Sequence, residues 1–406
     1  MPRRSSHKWE FRARFRRHAY GWRSQPAITR IKEAVSEIKK VARGDPVLGA
    51  EGAVLFLERL SPAIERVDGS SGSIGAATHR AVEALVPVIA GAPADDATRD
   101  AWLDRLRTAH DDDGMAYLEN IDEHWGALCA SAETASRWAD RLIEGCRLAW
   151  SADAGAGSWF SGTTACLSAL LAVGRHQDLL DLLERKPNAI WSYRRFGVRA
   201  LAAMGRPDEA IRYAEQVPRA HRSFDFAPLC EEILRAAGRV DEAYRRYGLL
   251  ASDAPTHLAR FRSLVKRYPH LEPARILDDL VERSPGEEGK WFATAKAAGF
   301  FDRAIDLANR SPCSPQTLTR AARDFGAERP EFAVAAGLAA LRWLSTGHGY
   351  EVTEKDVDDA WSHTMRAAEN AGCVAATRER VRALVDPAGH SAPLVTRALR
   401  RRLDLP

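Results

Sequence analysis

Apolar residues recur at three- and four-residue intervals through most of the chain, and a glycine or proline interrupts them at nearly regular distances. The clearest segments are Leu170–Glu184 (LLAVGRHQDLLDLLE), Leu201–Glu215 (LAAMGRPDEAIRYAE), Leu234–Gly248 (LRAAGRVDEAYRRYG), Val265–Leu280 (VKRYPHLEPARILDDL) and Ala295–Asn309 (AKAAGFFDRAIDLAN). Their turn residues, Gly174, Gly205, Gly238, Pro269 and Gly299, are separated by steps of 31, 33, 31 and 30 residues. Apolar stripes at helical spacing, broken once per repeat by a residue that reverses the chain, predict helical hairpins; a fixed period of this size predicts that the hairpins stack. Ala202, Ala203, Ala236 and Ala237 beside the turns let paired helices approach closely. Asp208-Glu209 and Asp241-Glu242 put acids in the first turn of the second helix, where its positive dipole end favours them.

Ahead of the repeats the same periodicity predicts a helix over Ala27–Arg43, with Ile28, Ile31, Val35 and Ile38 as its apolar face. A second is entered at Asp45-Pro46 and runs to Ser61-Pro62, where proline breaks or kinks it. Further helices are expected over Ala76–Ala90, Ala97–Ala109 (capped by Asp95 or Asp96), Met115–Cys129 (capped by Asp113) and Ala132–Trp150. Ser151–Gly157 (SADAGAG) reads as the connector to the repeats. After Asn309 the period loosens into Ala333–Leu344, a helix opened by Thr353 or Glu354 that runs through Glu369, and Ala392–Leu403. A changed terminal unit suits an array whose last hairpin must hide its open face. The expected fold is all-α. A basic aromatic arm with the first helix (1–44) and an amino-terminal helical region (45–150) precede a right-handed α-solenoid of helical hairpins (158–350), closed by capping helices (351–406).

The period and the segment GRPDEAIRYAE, Gly205–Glu215, resemble tetratricopeptide repeats. The steps near 31 fall short of that family's, about 34, and its first-helix aromatic and terminal proline do not recur. Over most of its length the chain also resembles an uncharacterised bacterial all-helical family, a domain of unknown function, through FLERLSPAIERVDGSSGSIGAATHRAVEAL (Phe56–Leu85) and the basic, aromatic opening. That resemblance implies an all-helical protein of bacterial origin and implies no activity, ligand or catalytic residue.

Charge changes the picture at one end. The net charge of +4 divides into +10 over residues 1–43 and −6 over the rest. A basic arm therefore precedes a mildly acidic body. In the arm, Arg12, Arg14, Arg16, Arg17 and Arg23 are interleaved with Trp9, Phe11, Phe15, Tyr20 and Trp22. Guanidinium groups on phosphates and rings on exposed bases suit nucleic acid, and the same residues suit an interfacial helix on anionic lipid. In a third reading the stripe Phe11, Phe15, Ala19, Trp22 docks on the first hairpin while the arginines stay in water or face acids of the body. Six cysteines are scattered singly without a CxxC pair, which fits a reducing cytoplasm rather than a disulfide framework or zinc site. No apolar run approaches the roughly 20 residues of a membrane span, and the opening lacks the apolar core of a secretory signal.

Candidate chemistry is sparse. Asp68–Gly75 (DGSSGSIG) is glycine- and serine-rich before a helix, but Ala76-Ala77 stand where a P-loop needs lysine and a hydroxyl, so a turn with Ser73 as helix cap is expected. His110-Asp111-Asp112-Asp113-Gly114 fails the calcium-loop register, with Ala109 and Asn120 at positions that require oxygen ligands, and reads as an acidic capping turn. His124 and His176 have no second ligand at helical spacing, and the serines of Ser158–Thr164 have no nearby base. Trp191, Tyr193, Arg194, Arg195 and Arg199 concentrate aromatic and basic character in WSYRRFGVR. They line a peptide-binding groove if the array presents one; alternatively Trp191 and Phe196 fill the core while Arg194 and Arg195 face water. The expectation is a non-enzymatic, cofactor-free cytoplasmic scaffold that binds another macromolecule, foremost a protein. Nucleic-acid association through the arm and an enzyme without a recognisable motif are the alternatives.

Overall fold

Among the described residues every regular element is helical and none is a strand. The computed structural model describes residues 7–151, 158–186, 188–223, 225–385 and 393–405, so the expected connector lies outside them apart from Ser151. No helix is long and apolar enough to cross a membrane among the described residues. Contacts divide the chain into two units, Met1–Phe226 and Ala227–Pro406, a boundary inside the segment read as repeats.

The first unit contains α1 (Glu10–Arg14), α2 (Ser24–Ala42), α3 (Pro46–Ile64), α4 (Ser73–Ala90), α5 (Asp96–Asp111) and, after a 3-10 turn over Glu119–His124, α6 (Trp125–Leu128). It continues with α7 (Ala132–Ala149), α8 (Thr163–Ala172), α9 (His176–Glu184), α10 (Trp191–Ala203) and α11 (Pro207–Glu215). Asp45 caps α3 by accepting from the Leu48 N–H, with Pro46 in the first turn, and Asp95 rather than Asp96 caps α5. Gly72, at φ +69°, is the residue before α4, and Ser73 does not cap it. The helix α3 runs through Pro62 to Ile64. The carbonyls that a last helical turn leaves over are met from the arm: the N–H of His18 donates to Pro62 O and that of Tyr20 to Ala63 O. This explains why the arm is not one amphipathic helix. It bends at His18, φ +56°, to follow those carbonyls.

The helix expected over Met115–Cys129 is also broken. Asp113 accepts from the N–H groups of Met115 and Leu118 instead of starting a helix, and Ala116 sits at φ +57°. The register of α6 is set by α8: the Gly126 N–H donates to Ser168 Oγ, which in turn donates to Glu123 O. A Cβ on Gly126 would lie 2.5 Å from the Ser168 carbonyl oxygen and against the Ala172 methyl. Neither is a flexible side-chain end, so Gly126→Ala is expected to cost about 1–3 kcal/mol, read as a lower urea midpoint with an unchanged slope.

The second unit contains α12 (Phe226–Ala236), α13 (Val240–Ala243), continued by a π turn over Tyr244–Gly248, α14 (His257–Arg267), α15 (Pro273–Glu282), α16 (Phe292–Ala297) and α17 (Phe301–Arg310). The longer α18 (Pro315–Phe325), α19 (Pro330–Ser345), α20 (Glu354–Asn370), α21 (Val374–Val385) and α22 (Pro393–Arg402) follow. Thr353 and Asp356 form a reciprocal capping box at the start of α20.

The helical reversals are one motif repeated. Gly174, Gly205, Gly238 and Gly299 all have φ between +73° and +83°. The N–H after each glycine closes on the carbonyl five residues back: Arg175 to Leu170, Arg206 to Leu201, Arg239 to Leu234, Phe300 to Ala295. This is the left-handed helix ending that glycine adopts without steric cost. The motif recurs at Gly347 and Gly372, beyond the stretch where the sequence period was regular. At Pro269 the reversal is different, with the Leu271 N–H donating to Tyr268 O.

Candidate functional site

The arm arginines Arg12, Arg14, Arg16, Arg17 and Arg23 are exposed, while Trp9, Phe11 and Phe15 are buried. The Phe11 and Phe15 rings meet Phe56 edge-on at 5.5 and 5.0 Å between centroids, and Trp9 lies over Gly52, where a Cβ would strike its ring. Glu37 accepts from the N–H groups of Glu10 and Phe11, and Arg14 pairs with Glu33 at 2.8 Å. Trp9, Phe11 and Phe15 thus dock on the helical body. Ala19 and Trp22 do not join them; Trp22 is 73% exposed, beside Arg23. Arg12, Arg16, Arg17 and Arg23 have no acidic partner among the described residues.

In the Trp191–Arg199 segment the core reading of the tryptophan holds and the water-facing reading of two arginines does not. Trp191 is buried against Phe226, and its indole N–H donates to Asp225 Oδ1 at 2.7 Å. Arg194 is buried, donates to Gln216 and to Tyr213 O, and lies 4.4 Å from the Tyr213 ring centre. Arg195 pairs with Asp225 and Glu123 and is mostly covered. A buried guanidinium needs such partners; this surface is spent on folding. Arg199 is exposed, and Tyr193 lines a cavity.

Three cavities have the size of ligand sites: one of about 720 Å³ beside Trp22 and Arg23, and two more that gather side chains from several elements. One of these two, about 680 Å³, is a groove in the second unit. One wall is α18, with Arg320 and Arg323; the other is α20, with Asp356, Asp359 and His363; Leu344 of α19 lies between them, with Cys313, Pro315 and Val352. Burial lowers the His363 pKa and pushes the Cys313 thiol up to about 12, so neither serves as a ready charge or nucleophile. The acids have local partners: Asp356 in the capping box and Asp359 on Lys355 at 2.7 Å. Among the described residues Arg320 donates to Gln316 O and Thr317 Oγ1 alone. Tyr350, 83% exposed, stands at the lip after the Gly347 reversal.

The smaller cavity, about 580 Å³, lies in the first unit at the carboxy end of α5. Beneath it Arg107 holds Asp122 with two contacts at 3.0 and 3.1 Å and Asp111 at 2.5 Å. Arg107 also donates to Nδ1 of His110. An arginine has no acceptor, so the imidazole proton is on Nε2, which faces Asp122 at 3.6 Å. Burial pushes the Asp122 carboxyl up, against the pull of His110 and Arg107. For Asp111 burial also acts upward, but the Arg107 hydrogen bond prevails and the net shift is down. The tyrosine hydroxyl of Tyr193 is raised by burial, with nearby Cys146, Glu119 and Asp122 adding to it. No grouping of three or more metal-ligating side chains forms among the described residues.

The sequence marked His110 and Asp111 only as part of a capping turn and passed over Asp122, whose link to Arg107 spans 15 residues. It also passed over Arg320 and Tyr350; the only local signal there is the glycine pair 347 and 349. Comparison with protein-family models and with curated proteins finds no match to this chain. The likenesses to tetratricopeptide repeats and to the bacterial all-helical family therefore rest on Gly205–Glu215 and Phe56–Leu85 themselves.

Proposed function

We propose that the chain is a non-enzymatic helical-hairpin scaffold, a right-handed tetratricopeptide-like array of bacterial origin, which binds a protein partner in a reducing cytoplasm. The observation that carries this reading is the α18–α20 groove. It combines an apolar floor, an exposed tyrosine at the lip and an arginine whose guanidinium meets no carboxylate among the described residues. An extended segment placing an apolar side chain over Leu344, with an acid next to it, matches both features. The recurring glycine reversals support a preorganised surface that changes little on binding. The fitting test is selection of displayed peptides on the full chain, followed by affinity measurement. Selected peptides are expected to pair an apolar or aromatic residue with an acid, and Tyr350→Ala with Arg320→Glu is expected to weaken them about a hundredfold. Peptides that bind the double variant unchanged would remove the groove from this role.

A second reading is favoured by one observation: four arm arginines without an acidic partner among the described residues share a surface segment with exposed Trp22. Nucleic acid is the partner that matches this combination.

A further inference from the structure

The cavity beneath Tyr193 belongs to neither reading, and its wall chemistry is lopsided. Asp111, Asp113, Glu119 and Asp122 all line it, and no lysine or arginine does. Three of these carboxylates are already engaged. Asp111 and Asp122 share Arg107. Asp113 accepts from Ser61 Oγ at 2.5 Å and from two backbone N–H groups. Glu119 has no cationic partner among the described residues, and it lies close enough to act on the Tyr193 hydroxyl. One arginine against four acids leaves the wall negative.

The second observation is aromatic. Trp159 lines the same cavity with 72% of its surface exposed, and Tyr193 lines it too, its ring against Trp150 at 5.6 Å. Trp159 forgoes the burial that Trp102 and Trp125 have in the same unit, as Trp22 of the arm also does. A π-face beside an unpaired carboxylate attracts a cation twice, through the ring quadrupole and through the charge. Ser161 and Thr164 add hydroxyls that can accept. The wall thus accepts hydrogen bonds and offers few, which suits a donor-rich ligand and repels anions. Arg107 fixes one side of the cavity from behind, holding His110 and Asp122, which both line it.

We propose that this cavity binds an alkylammonium or guanidinium group, seated against Glu119 and the rings of Trp159 and Tyr193. The group comes either from a free amine or from a lysine or arginine side chain of a peptide. The test is titration calorimetry on the full chain with two probes: agmatine for the free amine, and Nα-acetyl-arginine methylamide for the side chain. Saturable binding of either is expected, weakened about tenfold by Glu119→Gln and about tenfold by Trp159→Ala. Both residues are exposed or border solvent, so neither variant disturbs the core. Preference for agmatine assigns the free amine as the source; equal or tighter binding of the capped arginine assigns the peptide side chain. The inference is overturned if neither probe saturates below about 10 mM, if both variants bind as the parent does, or if glutarate binds as well as agmatine.

Discussion

Replacing Arg107 with methionine is expected to cost about 3–5 kcal/mol, the largest effect of any single change outside the apolar core. Arg107 is almost fully buried and supplies both contacts to Asp122, which is only 2% exposed. Methionine keeps much of the packing over the Trp125 ring, where the guanidinium carbon now lies 5.9 Å from the centre. It leaves the Asp122 carboxylate without its cation. The penalty depends on pH with a definite sign. Burial already pushes the folded Asp122 carboxyl above its ordinary value, and losing Arg107 removes one of the pulls in the other direction. A raised folded pKa means that the folded state holds the proton longer. Stability from that group is then complete below the unfolded aspartate value and is lost as pH rises through the folded one. The variant is therefore expected to be weaker at pH 8 than at pH 5, relative to the parent. Asp111 acts oppositely in the parent: its lowered pKa contributes stability above the unfolded value that fades as pH falls, and Arg107→Met removes that contribution. Adding Asp122→Asn to Arg107→Met is expected to recover most of the loss and to flatten the pH dependence. Urea denaturation of the single and double variants at both pH values decides the matter. A double variant no more stable than Arg107→Met would show that the pair is not what the unit loses.

The contrast between what the sequence disclosed and what it withheld has a physical basis. Gly174, Gly205, Gly238 and Gly299 were legible because the left-handed ending of a helix has a local cause, and glycine adopts it without steric cost. Asp45-Pro46 and the Thr353 cap were legible for the same reason. Interactions between segments were not. The register of α6, beyond the break that Asp113 makes, is set by Ser168, more than 40 residues downstream, holding Gly126 and the Glu123 carbonyl. The bend at His18 is imposed by the end of α3. Trp191–Arg199 has a composition equally suited to a groove or to a core, and only the arrival of Asp225, Gln216 and Tyr213 decides between them. Asp122 looks like any surface acid until Arg107 and His110 surround it. Local chemistry was readable in one dimension; convergence of distant side chains was not.

That distinction bears on the arm, where the aromatic and basic residues are expected to separate cleanly. Phe11→Ala or Phe15→Ala should cost about 3–5 kcal/mol, because each ring is fully buried and packs on Phe56. Substituting Arg12, Arg16, Arg17 and Arg23 together by glutamine should change stability by no more than about 0.5 kcal/mol per site, since none has an acidic partner to lose. Removing the whole arm would therefore confuse loss of folding with loss of binding: the donors to Pro62 O and Ala63 O would go with it. The glutamine variant keeps the docked rings and removes only the charge. If the arm contacts nucleic acid, single-stranded DNA should bind the parent with an affinity that falls steeply with salt. The slope of log K against log salt should then shrink by about 0.7 for each phosphate no longer neutralised, close to three for all four arginines. A Trp22→Ala variant should weaken binding by about 1–3 kcal/mol because a base no longer stacks there, with the slope unchanged. A parent that fails to bind DNA at low salt, or a glutamine variant with an undiminished slope, would leave the arm as a structural strap whose arginines serve only to keep it in water.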